Sequence, residues 1–78
     1  MKELIEFIAR LLVDHPEQVQ VREIGEGDRV RLELSVARED MGRVIGRGGK
    51  VANSIRAVLR VAAERQDKQA TLDVVEPA

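Results

Sequence analysis

At 78 residues the chain has the length of one small domain, and its composition, 44% apolar (mostly Val, Leu, Ile and Ala) and 35% charged, belongs to a folded globular class rather than a disordered one. The absence of cysteine excludes a disulfide framework and any thiolate metal site and fits a reducing compartment such as the cytoplasm, while the absence of Tyr and Trp removes the aromatic platforms on which RRM and OB modules stack bases. The formal charge of −1 conceals a polarity: residues 1–28 carry seven acidic and three basic residues, whereas residues 38–60 carry six basic (Arg38, Arg43, Arg47, Lys50, Arg56, Arg60) and two acidic, so an anionic partner would meet a positive field within a Debye length of about 8 Å.

In chain order, Leu4, Ile5, Ile8, Leu11 and Leu12 keep the spacing of an amphipathic helix over residues 3–13, with Phe7 widening the stripe. Glu3, Glu6 and Arg10 interrupt it, so no membrane span or signal core is expected there. Asp14-His15-Pro16 ends the helix, and proline biases the chain toward an extended exit. Val19, Val21 and Ile24 mark a short strand, and Val30, Leu32, Leu34 and Val36 alternate with polar residues as a second one. The Gly25-Glu26-Gly27-Asp28 connection reads as the loop of an antiparallel hairpin.

A short helix is expected from Glu39 to Ile45, with Glu39 and Asp40 at its start, where the helix dipole favours acids. Gly46-Arg47-Gly48-Gly49 breaks it, and Val51, Ile55, Val58, Leu59 and Ala62 then keep a helical period from about Lys50 to Gln66. Ala70, Leu72 and Val74 alternate as a last strand. The order αββααβ places the strands flanking the helix pair parallel to each other through a right-handed crossover, giving an α+β domain with a three-stranded mixed sheet covered on one face by helices.

Four of the six glycines fall between Gly42 and Gly49. Neither nucleotide-loop pattern fits: a P-loop ending at Gly49-Lys50 would need Gly at Val44 and Ser or Thr at Val51, and a dinucleotide loop begun at Gly46 would need Gly at Val51. A plain helix–helix turn is the simpler reading, with the arginines a solvated face. Three glycines in four positions, with Arg47 between them and Lys50 behind, go further, because bare backbone flanked by cations suits close approach of a phosphate chain, with amides at the next helix's start offering hydrogen bonds.

The segment Val44-Ile45-Gly46-Arg47-Gly48-Gly49-Lys50, set between two helices in this element order, resembles the hallmark of the type II KH domain, over essentially the whole chain. In size it resembles the small bacterial single-KH proteins of the KhpA (YlqC-like) family. The resemblance implies a GXXG clamp for short single-stranded RNA segments, in a groove between the helix pair and the strand at residues 70–76. Gly46 and Gly49 would let the backbone approach, Arg47 and Lys50 would meet phosphates, and Gly48 would complete the RNA-binding loop. Val44, Ile45 and Ile55 would form the groove floor or the core beneath it, and Arg43 and Arg56 would extend the rim or serve as solvated helix arginines. Ala52 departs from the KH pattern, where a larger aliphatic is common, and leaves groove depth and base preference open. The resemblance also implies homodimers, or heterodimers with a second KH protein of the KhpB (Jag/EloR-like) type, acting as an RNA chaperone or post-transcriptional regulator linked to cell elongation and envelope homeostasis. No cofactor or metal and no membrane insertion is expected.

Two other function classes compete. Catalysis has little to build on: His15, the single histidine, stands in a turn beside Pro16, and Ser35 and Ser54 have no evident base. A dimerisation or scaffold module without RNA binding draws support from the acidic N-terminal third, which would repel RNA and could dock a basic partner. An intact Arg47 and Lys50 favour RNA.

Overall fold

In the computed structural model, which describes residues 1–77, three helices cover one face of a three-stranded sheet. Helix α1 (Lys2–Leu12) is followed by a 3-10 turn at Pro16–Gln18, strand β1 (Gln20–Glu26) and strand β2 (Arg29–Ser35). A second 3-10 turn at Arg38–Asp40 leads into the short helix α2 (Met41–Ile45); the Arg47–Gly49 turn, helix α3 (Lys50–Arg65) and strand β3 (Gln69–Val74) complete the chain. Strands β1 and β2 pair antiparallel and β2 and β3 pair parallel, in the spatial order β1-β2-β3. The expected α+β class and αββααβ order hold.

The pleat sorts the sheet residues. Val21, Val30, Leu32, Leu34 and Leu72 face the helices and are buried, joined by Ile5 and Ala9 from α1, Val44 from α2 and Ile55 and Leu59 from α3. Fully burying one such Val, Leu or Ile side chain is worth about 1.5–3 kcal/mol, so this single layer is the main source of cohesion. On the open face the alternate residues form a charge ladder: Arg31 meets Glu33 at 3.0 Å and Asp73 at 3.1 Å, and Arg22 reaches Glu33 at 3.9 Å. Exposed pairs of this kind contribute well under about 1 kcal/mol each; their effect is to match charge across the strands.

Three local differences from the sequence reading have physical causes. Strand β1 runs on through Gly25 and Glu26, and a two-residue turn with Gly27 at φ 60° closes the hairpin, pairing Glu26 with Arg29. After Pro16 the chain makes a 3-10 turn before it becomes extended. Phe7 does not join the core: it is 62% exposed, and Leu11 is 71% exposed. Apolar residues cover more than half of the circumference of α1, and only the Ile5–Ala9 side can face the sheet.

Asp40, expected as a surface acid at a helix start, is 1% exposed. Its Oδ1 accepts the backbone N–H of Asp14 (3.2 Å) and its Oδ2 that of His15 (3.0 Å). Arg43 adds its guanidinium, 3.8 Å from Asp40 Oδ1 and 3.0 Å from Asp14 Oδ2. The carboxylate therefore ties the chain leaving α1 to the first turn of α2. Asp40→Ala strands both N–H groups and is expected to lower the unfolding free energy by about 2–4 kcal/mol, whereas Arg43→Ala, which removes only a half-exposed partner, costs less than about 1 kcal/mol; urea titrations followed by circular dichroism measure both.

Candidate nucleic-acid interface

The junction between α2 and α3 is built by glycine. Helix α2 stops at Ile45 because Gly46 turns to φ 75°, ψ 171°, while its N–H still bonds Gly42 O at 2.9 Å. A Cβ at Gly46 would lie 2.5 Å from Val51 Cγ2 and 2.9 Å from Val51 N, so no other residue fits against the start of α3. That glycine is explained by helix packing alone, as the plain-turn reading holds. Gly48 and Gly49 also have positive φ, 63° and 79°, but a Cβ at Gly48 would meet nothing within 4 Å, and one at Gly49 only Asn53 Nδ2 at 3.9 Å. Their bare backbone faces open space.

Arg47 and Lys50 flank this opening, both exposed, and neither makes an ion pair among the described residues. Among the described residues no side chain caps the N-terminus of α3, so its positive dipole end is left open. The amides contribute less than the sequence reading expected: Gly49 N–H is turned in to Gly46 O at 3.1 Å and Lys50 N–H to Arg47 O. Attraction for an anion here comes from the two side chains and the helix end, with the missing Cβ atoms giving room for approach.

The other sequence-derived site residues divide. Val44 is 0% exposed and Ile55 is 4% exposed, so both belong to the core beneath the surface and hold α2 and α3 on the sheet; Ile45 stays partly exposed at the end of α2. Ala52 is buried as well. Arg43 is engaged by Asp14 and Asp40, which neutralises it as a rim cation. Arg56 is half-buried: its Nε donates to Leu72 O at 3.1 Å and its Nη1 to Asn53 Oδ1 at 3.0 Å.

Leu72 O is on the free edge of the sheet. Gln69 N–H bonds Asp28 O and Val75 N–H bonds Leu34 O, so the odd-numbered residues of β3 turn their main chain toward β2 and the even-numbered ones turn theirs outward. Between that edge and α3 lies a shallow cleft lined by Arg56, Leu59, Arg60, Ala70, Leu72 and Asp73. Asn53, which accepts a hydrogen bond from Arg56, was not singled out in the sequence; its three-residue spacing from Arg56 on one helix was the available signal. Asp40 carried none, because its partners are 25 and 26 residues away.

The family model described as KhpA/KhpB, KH domain, matches residues 2–74. A relative from Clostridium perfringens, named RNA-binding protein KhpA, is 45% identical over 75 residues, covering 96% of this chain and 100% of its own. The protein of the same name from Halalkalibacterium halodurans is 45% identical over 76 residues, covering 97% and 100%, and that from Listeria monocytogenes is 41% identical over 76 residues with the same coverage. On this match, which runs from the first helix to the last strand, the chain belongs to the KhpA/KhpB KH-domain family.

Proposed function

We propose that the protein is a non-catalytic RNA-binding protein that holds short single-stranded RNA at the Gly46–Lys50 loop. The observation that carries this reading is the pairing of two unmatched cations, Arg47 and Lys50, with glycines 48 and 49, whose side-chain positions open onto empty space. The names borne by the relatives support RNA as the anion. Phosphates meet Arg47 and Lys50, the backbone at Gly48 and Gly49 admits the sugar–phosphate chain, and the strand continues along the α3–β3 cleft. With so few cations engaged, affinity is low and salt-dependent, and useful retention on RNA requires a second site on the same strand.

That second site comes from another KH unit, either a second copy of this chain or a KhpB-like protein. In support, α1 and α3 pack against each other and leave Phe7, Leu11, Val58 and Val61 exposed, apolar surface that solvent does not favour. A cytoplasmic RNA chaperone or post-transcriptional regulator, linked to cell elongation and envelope homeostasis, is the role we assign to such an assembly. Among the described residues no helix is long and apolar enough to cross a membrane. The same apolar residues favour a second reading, a dimerisation scaffold that does not bind RNA, and the experiments separate the two.

In fluorescence anisotropy with a short labelled single-stranded RNA, the wild type is expected to bind and to weaken about tenfold between 50 and 200 mM salt. The variant carrying Arg47→Asp and Gly48→Asp is expected to lose at least about tenfold in affinity while remaining folded, because Asp tolerates the left-handed backbone of position 48. Coincident curves would favour the scaffold. In sedimentation equilibrium the wild type is expected to self-associate and the Phe7→Glu/Val58→Glu variant to remain monomeric; an unchanged mass for the variant would place the interface elsewhere.

A further inference from the structure

Among the described residues Arg56 is the one cation of α3 held by side-chain hydrogen bonds: Asn53 Oδ1, three residues back on the helix, accepts from Nη1, and Leu72 O, on the free edge of β3, accepts from Nε. Arg56 stands seven positions after Gly49, about 10 Å along the helix axis. A guanidinium has five N–H donors, and these two bonds use one on Nε and one on Nη1, so the remaining Nη1 donor and both Nη2 donors have no partner among the described residues. Nor is its charge matched by an acid among the described residues. Asp73, which lines the same cleft, is paired with Arg31 across the sheet instead.

A cation fixed in this way differs from one that merely collects phosphates. A flexible arginine follows any anion, whereas a guanidinium seated against a strand edge presents its remaining donors in a set plane, and a planar fork discriminates by acceptor geometry. Two neighbouring N–H donors need two neighbouring acceptors. Cytosine has them at O2 and N3 and guanine at O6 and N7; in adenine the exocyclic amine stands beside N1 and N7, and in uracil the N3–H separates the two carbonyls.

We infer that Arg56 is a specificity-determining residue which reads the base lying in the α3–β3 cleft and favours cytosine or guanine over adenine or uracil. The assignment rests on RNA binding at the glycine loop, which delivers the strand to the cleft. Asn53 and Leu72 O act as positioning groups for the fork.

The test uses the full chain and four labelled octaribonucleotides of uridine background, with two adjacent central cytidines, guanosines, adenosines or no change. Wild type is expected to bind the cytidine or the guanosine oligomer at least about fivefold more tightly than the other two, and comparison of those two arms identifies which acceptor pair is read. Arg56→Lys keeps the charge and loses the fork. It is expected to bind all four oligomers at the level wild type shows for uridine, with its fold checked by circular dichroism. Should that variant unfold, Asn53→Ala, which frees the guanidinium and leaves the Leu72 bond, is expected to reduce the preference at least twofold. Equal wild-type binding to all four, or a preference that survives in Arg56→Lys, would overturn the inference while leaving RNA binding intact. Failure of wild type to bind any of them would overturn the RNA-binding reading itself.

Discussion

The contact between Gly46 and the first turn of α3 is the constraint on which the rest of the site depends. Two helices meet within a few residues, and they do so only because the position 46 backbone lies against Val51 at a distance that leaves no room for a side chain. That approach swings Val44 and Ile55 inward, where they join the layer over the sheet. It also drives the intervening residues outward, so Arg47 and Lys50 are displayed with nothing between them and solvent. A turn required by close packing thus becomes a cation-flanked edge, and structural need and the proposed binding site share one motif.

Electrostatics contributes to the edge as well. Four of the thirteen Lys and Arg residues are spent in ion pairs away from it, among them Arg22 and Arg31 on Glu33 and Asp73 across the open sheet and Arg43 on Asp14 and Asp40 at the base of α2. The chain is nearly neutral overall, yet an anion approaching the loop meets two unmatched cations and an uncapped helix end. Asp40 matters to this arrangement although it is remote from solvent. By accepting two backbone N–H groups from the segment after α1 it fixes where α2 begins, and α2 is only five residues long, so its start determines where the glycine loop projects.

The elements were legible because their signals are local: alternation in β2, helical periodicity in α1 and α3, and the glycine break between two helical stretches. The hairpin loop was read too long because Gly25 looks like a turn residue, although its extended backbone continues the ladder and only Gly27 has positive φ. Phe7 was misplaced because hydrophobicity reports what avoids water, not which side of a largely apolar helix finds a partner. At the site, the glycines and Arg47 and Lys50 were visible as a motif. The burial of Asp40, the neutralisation of Arg43 and the seating of Arg56 on Leu72 O all depend on elements distant in sequence and emerge only from packing.

One face, defined by the glycine loop and the α3–β3 cleft, is where we propose that single-stranded RNA binds. Titrating the isotopically labelled protein with a short single-stranded RNA and following backbone amide and arginine side-chain NMR signals tests it residue by residue. The account requires the largest shifts at Gly46, Arg47, Gly48, Gly49, Lys50 and the Arg56 guanidinium, with the open sheet face around Arg22 and Glu33 unmoved. Shifts concentrated on that sheet face, or none at the glycine loop at saturating RNA, would contradict it.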